Sequence, residues 1–291
     1  MEKPIVTQAI IELYDEYTHA PLERRVFLRR LVALTGGAAA AAAILPYLGP
    51  QKAAAAMIAP DDARLDIATV TYPGTSGPIR AYQAKPKGAA GRLPVVIVIH
   101  ENRGTNPHIQ DVARRVALEG FIAIAPDFLS PQGGTPADDD KARAMFSKID
   151  SAGAARDAIA AVTYAKGRPD SNGKVGMVGF CWGGGIVNRA AAGSPDLAAA
   201  VPYYGMPPPA DQVKNIKAKM LLQYAALDTR VTSTASGYEK ALKDAGVSVQ
   251  AFVYEGANHA FNNDTSPDRY VPAAATLAWS RTIALFKETL G

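Results

Sequence analysis

Five residues, Gly179-Phe180-Cys181-Trp182-Gly183, constrain this chain more than any others. They follow the strand-like run Lys174-Val175-Gly176-Met177-Val178, and residues 182–192 after them read as a helix. A chain that passes from strand to helix through a single residue must turn sharply, with strained backbone angles at the tip and neighbouring backbones close by. Glycine on both sides of the tip meets that need. The tip side chain then stands at the end of a strand, as a nucleophile must. Cys181, the single cysteine among 291 residues, occupies the tip. A small cysteine packed beside glycines fits the same five residues, so the reading depends on what the rest of the chain supplies.

From Asp66 onward the sequence alternates strands and helices. Residues 67–72 and 79–84 predict two strands joined by a Pro/Gly-rich turn, forming an antiparallel edge. Residues 95–99 are a continuous apolar run, the pattern of a strand buried on both faces. Further strands are expected at 121–125, 197–203, 220–225 and 247–254. Helices are expected at 109–119, 138–147, 152–165, 234–244 and 270–290, and a Pro/Gly-rich loop at 127–137. The alternation predicts one α/β domain over 57–291, with a mostly parallel central sheet flanked by helices. With the elbow, this is the α/β-hydrolase fold, whose functional residues run in the chain order nucleophile, acid, histidine.

That order selects the partners. Asp228 lies just past the expected strand 220–225, at a sheet end where α/β sites gather. It equally fits a cap for the helix near Ser233. His259 sits in a loop after the last strand and could be a solvated bystander, but it is the histidine that follows both nucleophile and acid. Asp244, Asp264 and Asp268 compete with Asp228, yet none directly ends a strand. A thiol is a poor nucleophile while protonated, and a neighbouring imidazole takes its proton. The acid orients the ring and stabilises the imidazolium. The backbone N–H of Trp182, at the helix start, can stabilise an oxyanion. Glu101 follows the buried strand 95–99 at the same sheet edge, where a solvated loop glutamate is the ordinary reading.

The first 56 residues read as a leader. Arg24-Arg25-Val26-Phe27-Leu28-Arg29 precedes a soft apolar run at 31–48, and small residues follow at 53–56. This resembles a twin-arginine export signal, with Arg29 in place of the usual lysine, and implies removal near Ala56 and an exported, periplasmic protein. A retained membrane anchor and an ordinary surface helix are the alternatives, since the apolar run has only about the minimum spanning length. Ile5, Ile10, Ile11, Leu13, Tyr14 and Tyr17 ahead of it can form one apolar helix face with no evident purpose. A single cysteine excludes an intrachain disulfide. The net charge of +4 is spread without a basic block, so nucleic acid is not an expected partner. The sequence contains no dinucleotide fingerprint, phosphate loop or metal-ligand spacing, so no cofactor and no metal are expected.

The assembled residues resemble the dienelactone hydrolase family over roughly 66–290, most specifically in residues 171–184, Ser-Asn-Gly-Lys-Val-Gly-Met-Val-Gly-Phe-Cys-Trp-Gly-Gly. The resemblance implies a triad of Cys181, His259 and Asp228. It also implies that Glu101 hydrogen-bonds the resting thiol until substrate swings the cysteine toward the histidine, and that the N–H groups of Trp182 and Asn102 form the oxyanion hole. Asn263 stands four residues after His259, where members acting on dienelactone hold the substrate carboxylate with an arginine. Asn cannot supply that charged bidentate contact. Arg143 is a candidate for the family's other arginine, and Tyr203 and Phe261 are candidate pocket aromatics. The expected activity is therefore hydrolysis of a small ester or lactone, neutral or differently charged from dienelactone, through a thiol-acyl intermediate. Two other classes stay open at this point: thiol redox chemistry at a lone reactive cysteine, and ligand binding without catalysis on the same fold.

Overall fold

The computed structural model describes residues 5–20, 22–48 and 56–291. Three helices come first: α1 (Gln8–His19), α2 (Arg24–Thr35) and α3 (Ala38–Leu48). The body then runs β1 (Leu65–Gly74), β2 (Gly77–Pro86), β3 (Leu93–Ile99), α4 (Pro107–Leu118), β4 (Ile122–Pro126), α5 (Asp139–Phe146), α6 (Ser151–Lys166) and β5 (Ser171–Phe180). It continues with α7 (Trp182–Gly193), β6 (Leu197–Tyr203), β7 (Lys219–Ala225), α8 (Thr229–Thr232), α9 (Ala235–Asp244), β8 (Val249–Tyr254) and α10 (Pro272–Leu290). Every strand and long helix expected of the body is present, with shifts of a few residues at the ends. The expected loop at 127–137 contains a single turn of 3-10 helix at Ser130–Gln132.

The eight strands form one sheet in the order β1-β2-β4-β3-β5-β6-β7-β8. Pairing is antiparallel between β1 and β2 and between β2 and β4, and parallel across the other five. The apolar run of β3 explains the layering. Val95, Ile97 and Ile99 point into one core, with α6, α7 and α9 against it, while Val96 and Val98 point into the other, beneath α4 and α10. A strand whose alternate residues enter two separate cores cannot alternate polar with apolar, which is why it reads as a continuous hydrophobic block.

The three N-terminal helices lie within the residues read as a leader. They have a small core of their own, built from Ile10, Leu13, Tyr14, Tyr17, Phe27, Leu31, Ala41, Ile44 and Leu48. The apolar run at 31–48 is broken by Gly36-Gly37, where Gly36 takes the left-handed conformation at φ 76° and ends α2. Helices α2 and α3 consequently meet at 113°, and among the described residues no single helix is long and apolar enough to cross a membrane. Of the expected processing region, residues 53–55 lie outside the described residues. Helix α1 lies across the carboxyl ends of the central strands. There Gln8 Nε2 donates to Asn258 Oδ1 at 2.8 Å and Arg103 Nη2 donates to the Tyr14 hydroxyl at 2.6 Å.

Candidate active site

The elbow forms as the glycines require. Cys181 follows the last residue of β5 and precedes the first of α7, with φ 58° and ψ −118°, a region that side-chain-bearing residues rarely occupy. Close backbone approaches hold it there. A β-carbon on Gly179 would sit 2.5 Å from the Gly183 carbonyl oxygen, and one on Gly183 would sit 2.4 Å from that of His100. The Cys181 N–H is bonded to the Tyr203 carbonyl at 3.1 Å. These contacts seat the start of α7 against the ends of β3 and β6. The Trp182 N–H, in the first turn of α7, has no acceptor within its own helix. Asn102 lies in the turn after β3. The Trp182 ring points away from the nucleophile, stacked 5.6 Å from His100.

Asp228 is both of the things its sequence position allows. As the N-cap of α8, its Oδ1 accepts from the Val231 N–H at 3.3 Å, while its Oδ2 accepts from His259 Nδ1–H at 2.6 Å. Both side chains are buried. Burial raises the Asp228 carboxyl, and the hydrogen bond and charge of His259 outweigh it, leaving a net downward shift. For His259, burial lowers the imidazolium, and Asp15, Cys181 and Asp228 together overcome that and hold it well above the ordinary histidine value. A base with this stabilisation can carry a proton taken from a thiol.

One contact has no counterpart in the sequence-based reading. His19, the last residue of α1, places Nε2 2.9 Å from Cys181 Sγ, and its ring meets that of His259 edge-on at 4.5 Å. The His19 Nδ1 lies 2.8 Å from the Asp15 carbonyl oxygen, which only accepts, so Nδ1 carries the hydrogen and Nε2 presents a lone pair to the thiol. Burial first, then His259 and Arg230, push His19 well below the ordinary value and keep the ring neutral. A hydrogen on the sulfur can therefore be donated to His19. Glu101, expected to hold the thiol, instead accepts from Asn263 Nδ2 at 2.8 Å through Oε2. Its Oε1 and the hydroxyl of Tyr204 are buried without a hydrogen-bond partner among the described residues.

One ring nitrogen each of His19 and His259 and the Cys181 sulfur lie within 4.8 Å of one another, a metal-like grouping absent from the expectations. The 2.9 Å between nitrogen and sulfur is a hydrogen-bond distance, shorter than the roughly 3.5 Å that a tetrahedral zinc bound to both atoms imposes.

The remaining candidates divide. Asn263 is buried against Glu101, with its Oδ1 accepting from the backbone and hydroxyl of Thr265. Arg143 donates to the Tyr17 carbonyl at 2.9 Å and to the Tyr17 hydroxyl, so it faces the site but is engaged by α1. Tyr203 and Phe261 do not line a pocket. Both are wholly buried in the core under α10, where the Tyr203 hydroxyl bonds Thr282 at 2.7 Å and Phe261 packs on Tyr254. Their strand and loop positions aim them inward, while Tyr204, at φ 40°, turns its ring to 4.8 Å from His259. A cavity of about 600 Å³ lies beside the site, lined by Thr105, Asn106, His108, Asp127 and Asp264, and Cys181 is not in its wall.

The shift at His259 is testable without a substrate. Asp228→Asn keeps a side chain that caps a helix but loses the negative charge. The His259 ring, followed by NMR through a pH titration, is expected to titrate above the usual histidine range in the native protein and markedly lower in the variant. Equal values in the two proteins would contradict the assigned pairing.

Comparison with known proteins identifies the family. Residues 79–290 match the model of the dienelactone hydrolase family. A protein of Escherichia coli O157:H7 named "Putative carboxymethylenebutenolidase" is 33% identical over 244 residues, covering 79% of this chain and 89% of its own. A crystal structure described as "Putative Dienelactone Hydrolase" of Klebsiella pneumoniae aligns with a TM-score of 0.69 at 32% identity, covering 77% of this chain and 99% of that one. A dienelactone hydrolase-like promiscuous phosphotriesterase from metagenomic libraries aligns at 0.68 with 25% identity, covering 78% of this chain and 100% of its own. By fold, by the match over most of its length and by relatives spanned almost end to end, the chain belongs to the dienelactone hydrolase family of hydrolases.

Proposed function

We propose that this hydrolase uses Cys181 as the nucleophile to cleave small carboxylic esters or lactones through a covalent thioester. The observation that carries the reading is the chain Asp228–His259 at 2.6 Å, placed beside a cysteine whose backbone is held at a positive φ on the elbow. In the acylation step the sulfur, its proton already on His259 as a thiolate–imidazolium pair, forms a bond to the substrate carbonyl carbon. The carbonyl π electrons become an oxyanion, which the N–H groups of Trp182 and Asn102 stabilise. Collapse breaks the carbon–oxygen bond of the ester, and the leaving alkoxide takes its proton from His259. In deacylation His259 deprotonates a water, whose oxygen replaces sulfur at the acyl carbon and releases the acid. Asp228 stays ionised throughout and fixes the ring.

Substrate class follows from the polar groups near the sulfur. Asn263, at the position where the family resemblance expects an arginine for a substrate carboxylate, holds Glu101 at 2.8 Å, so no cation stands there. That favours neutral acyl groups. Cys181→Ala is expected to abolish turnover across a panel of small activated esters and lactones, with a loss of at least about 10⁴-fold, the order removed with a triad nucleophile. A variant rate within tenfold of the native one would remove Cys181 from the mechanism.

Export through the twin-arginine route belongs to the same proposal. Its support is the motif at Arg24-Arg25, whose side chains are exposed at the first turn of α2, Arg24 at 2.7 Å from Asp140. Replacing both with lysine is expected to retain the protein in the cytoplasmic fraction. Unchanged fractionation between the native and double-lysine chains would overturn the assignment.

A further inference from the structure

The reacting sulfur is covered, and the cover comes from the same chain. Cys181, His259 and Asp228 are each buried to within 6% of full coverage. Helix α1 ends directly on the sulfur through His19. We propose that α1 is an intramolecular stopper in the acyl site, latched by His19 on the thiol, which holds the full-length chain at a reduced rate until the N-terminal segment is withdrawn. What is slowed rests on the thiol-hydrolase reading above, whereas the occupancy of the site rests on the contacts alone.

Three features mark a built contact. First, the last carbonyls of a helix lack acceptor duty within it, and here the catalytic domain supplies donors to them. Arg143 Nη1 donates to the Tyr17 carbonyl at 2.9 Å and Asn102 Nδ2 to the Thr18 carbonyl at 3.0 Å. The negative end of the α1 dipole thus faces a guanidinium. Second, charge is matched along the helix. Asp15 lies 3.5 Å from Arg269, the Tyr14 hydroxyl accepts from Arg103, and the Arg143 guanidinium sits 3.8 Å over the Tyr17 ring. Third, the groups engaged sit around the nucleophile: the thiol itself and the turn after β3 that carries Asn102, whose N–H the acyl step uses. An ester carbonyl cannot reach the sulfur while the His19 ring occupies the space beside it, with Nε2 at hydrogen-bond distance from the sulfur. Asp15 also raises His259, so the seated helix prepares the base while denying it a substrate.

Cys181 is the only thiol in the chain, so its alkylation by iodoacetamide, read by intact mass, reports the stopper without any ester. The comparison uses the full chain, His19→Ala, the double variant Tyr14→Ala/Tyr17→Ala, and a full chain cut at a protease site inserted within residues 49–55 and freed of its N-terminal piece. Arg30→Ala, which breaks an exposed pair with Glu16, serves as the control. The full chain and the control are expected to alkylate slowly. The two variants, with unchanged circular dichroism, and the cut chain, with only the helical signal of α1 to α3 lost, are expected to react at least tenfold faster, and ester hydrolysis to rise with them. Equal alkylation in the full and cut chains overturns the stopper. A fall in thiol reactivity on loosening α1 also overturns it, and makes the helix a working part of the site. Faster alkylation with no ester turned over upholds the stopper and removes the hydrolase reading instead.

Discussion

The site depends on one strained residue. Cys181 sits at φ 58° because the strand before it and the helix after it leave no other path, and the strain, of order 1–3 kcal/mol, persists only where surrounding structure over-determines it. The over-determination comes from absent side chains. The β-carbon positions of Gly179, Gly183 and Gly184 are filled by carbonyl oxygens of neighbouring segments at 2.4–2.5 Å. Those approaches lock α7 onto the ends of β3 and β6. From there the rest of the geometry follows, since β3 carries the turn with Glu101 and Asn102, and β7 and β8 deliver Asp228 and His259 to the same edge.

Around the sulfur, burial acts on two histidines with opposite outcomes. Both are desolvated, which by itself favours the neutral ring. His259 has Asp228 and Asp15 to offset the loss and becomes a strong base. His19 faces a backbone carbonyl on one side and the positive field of His259, Arg230 and Arg269 on the other, and stays neutral. The sulfur between them faces one imidazole that accepts a hydrogen bond without taking the proton and another that holds a proton as its ion-pair partner. The difference between resting and reacting states is then a matter of which imidazole the sulfur addresses. In the sequence-based expectation Glu101 held the resting thiol. Here Asn263 engages Glu101, and the histidine of α1 stands at the sulfur.

The sheet and the gathering of Cys181, Asp228 and His259 at one end of it were legible because each has a local signature. Strands buried on both faces are apolar blocks, an elbow needs glycines at fixed offsets, and the order nucleophile, acid, histidine is imposed by topology. The dual role of Asp228 was half legible, since the residue that ends β7 is also the residue that caps α8. The misplacement of Tyr203 and Phe261 has a plain cause: period-two alternation does not reveal which face of a doubly covered sheet is core and which borders a cleft. His19 was hidden more deeply. Its partner lies 162 positions away, and the basic and apolar segment that follows it draws the whole N-terminus into the category of removable leader. The apolar face of α1, with Tyr14 and Tyr17 three residues apart on it, was the available signal, and it reads from the sequence as a face without a purpose.

The central claim is a covalent acyl group on one sulfur. Rapid-quench mass spectrometry of the protein mixed with an activated ester, followed by peptide mapping, measures it directly. The account predicts a transient mass increase equal to the acyl group, confined to the peptide bearing Cys181, released by hydroxylamine and accumulating when deacylation is slowed. Steady turnover of the same ester with no acyl group on that peptide, or with the acyl group on another residue, would contradict it.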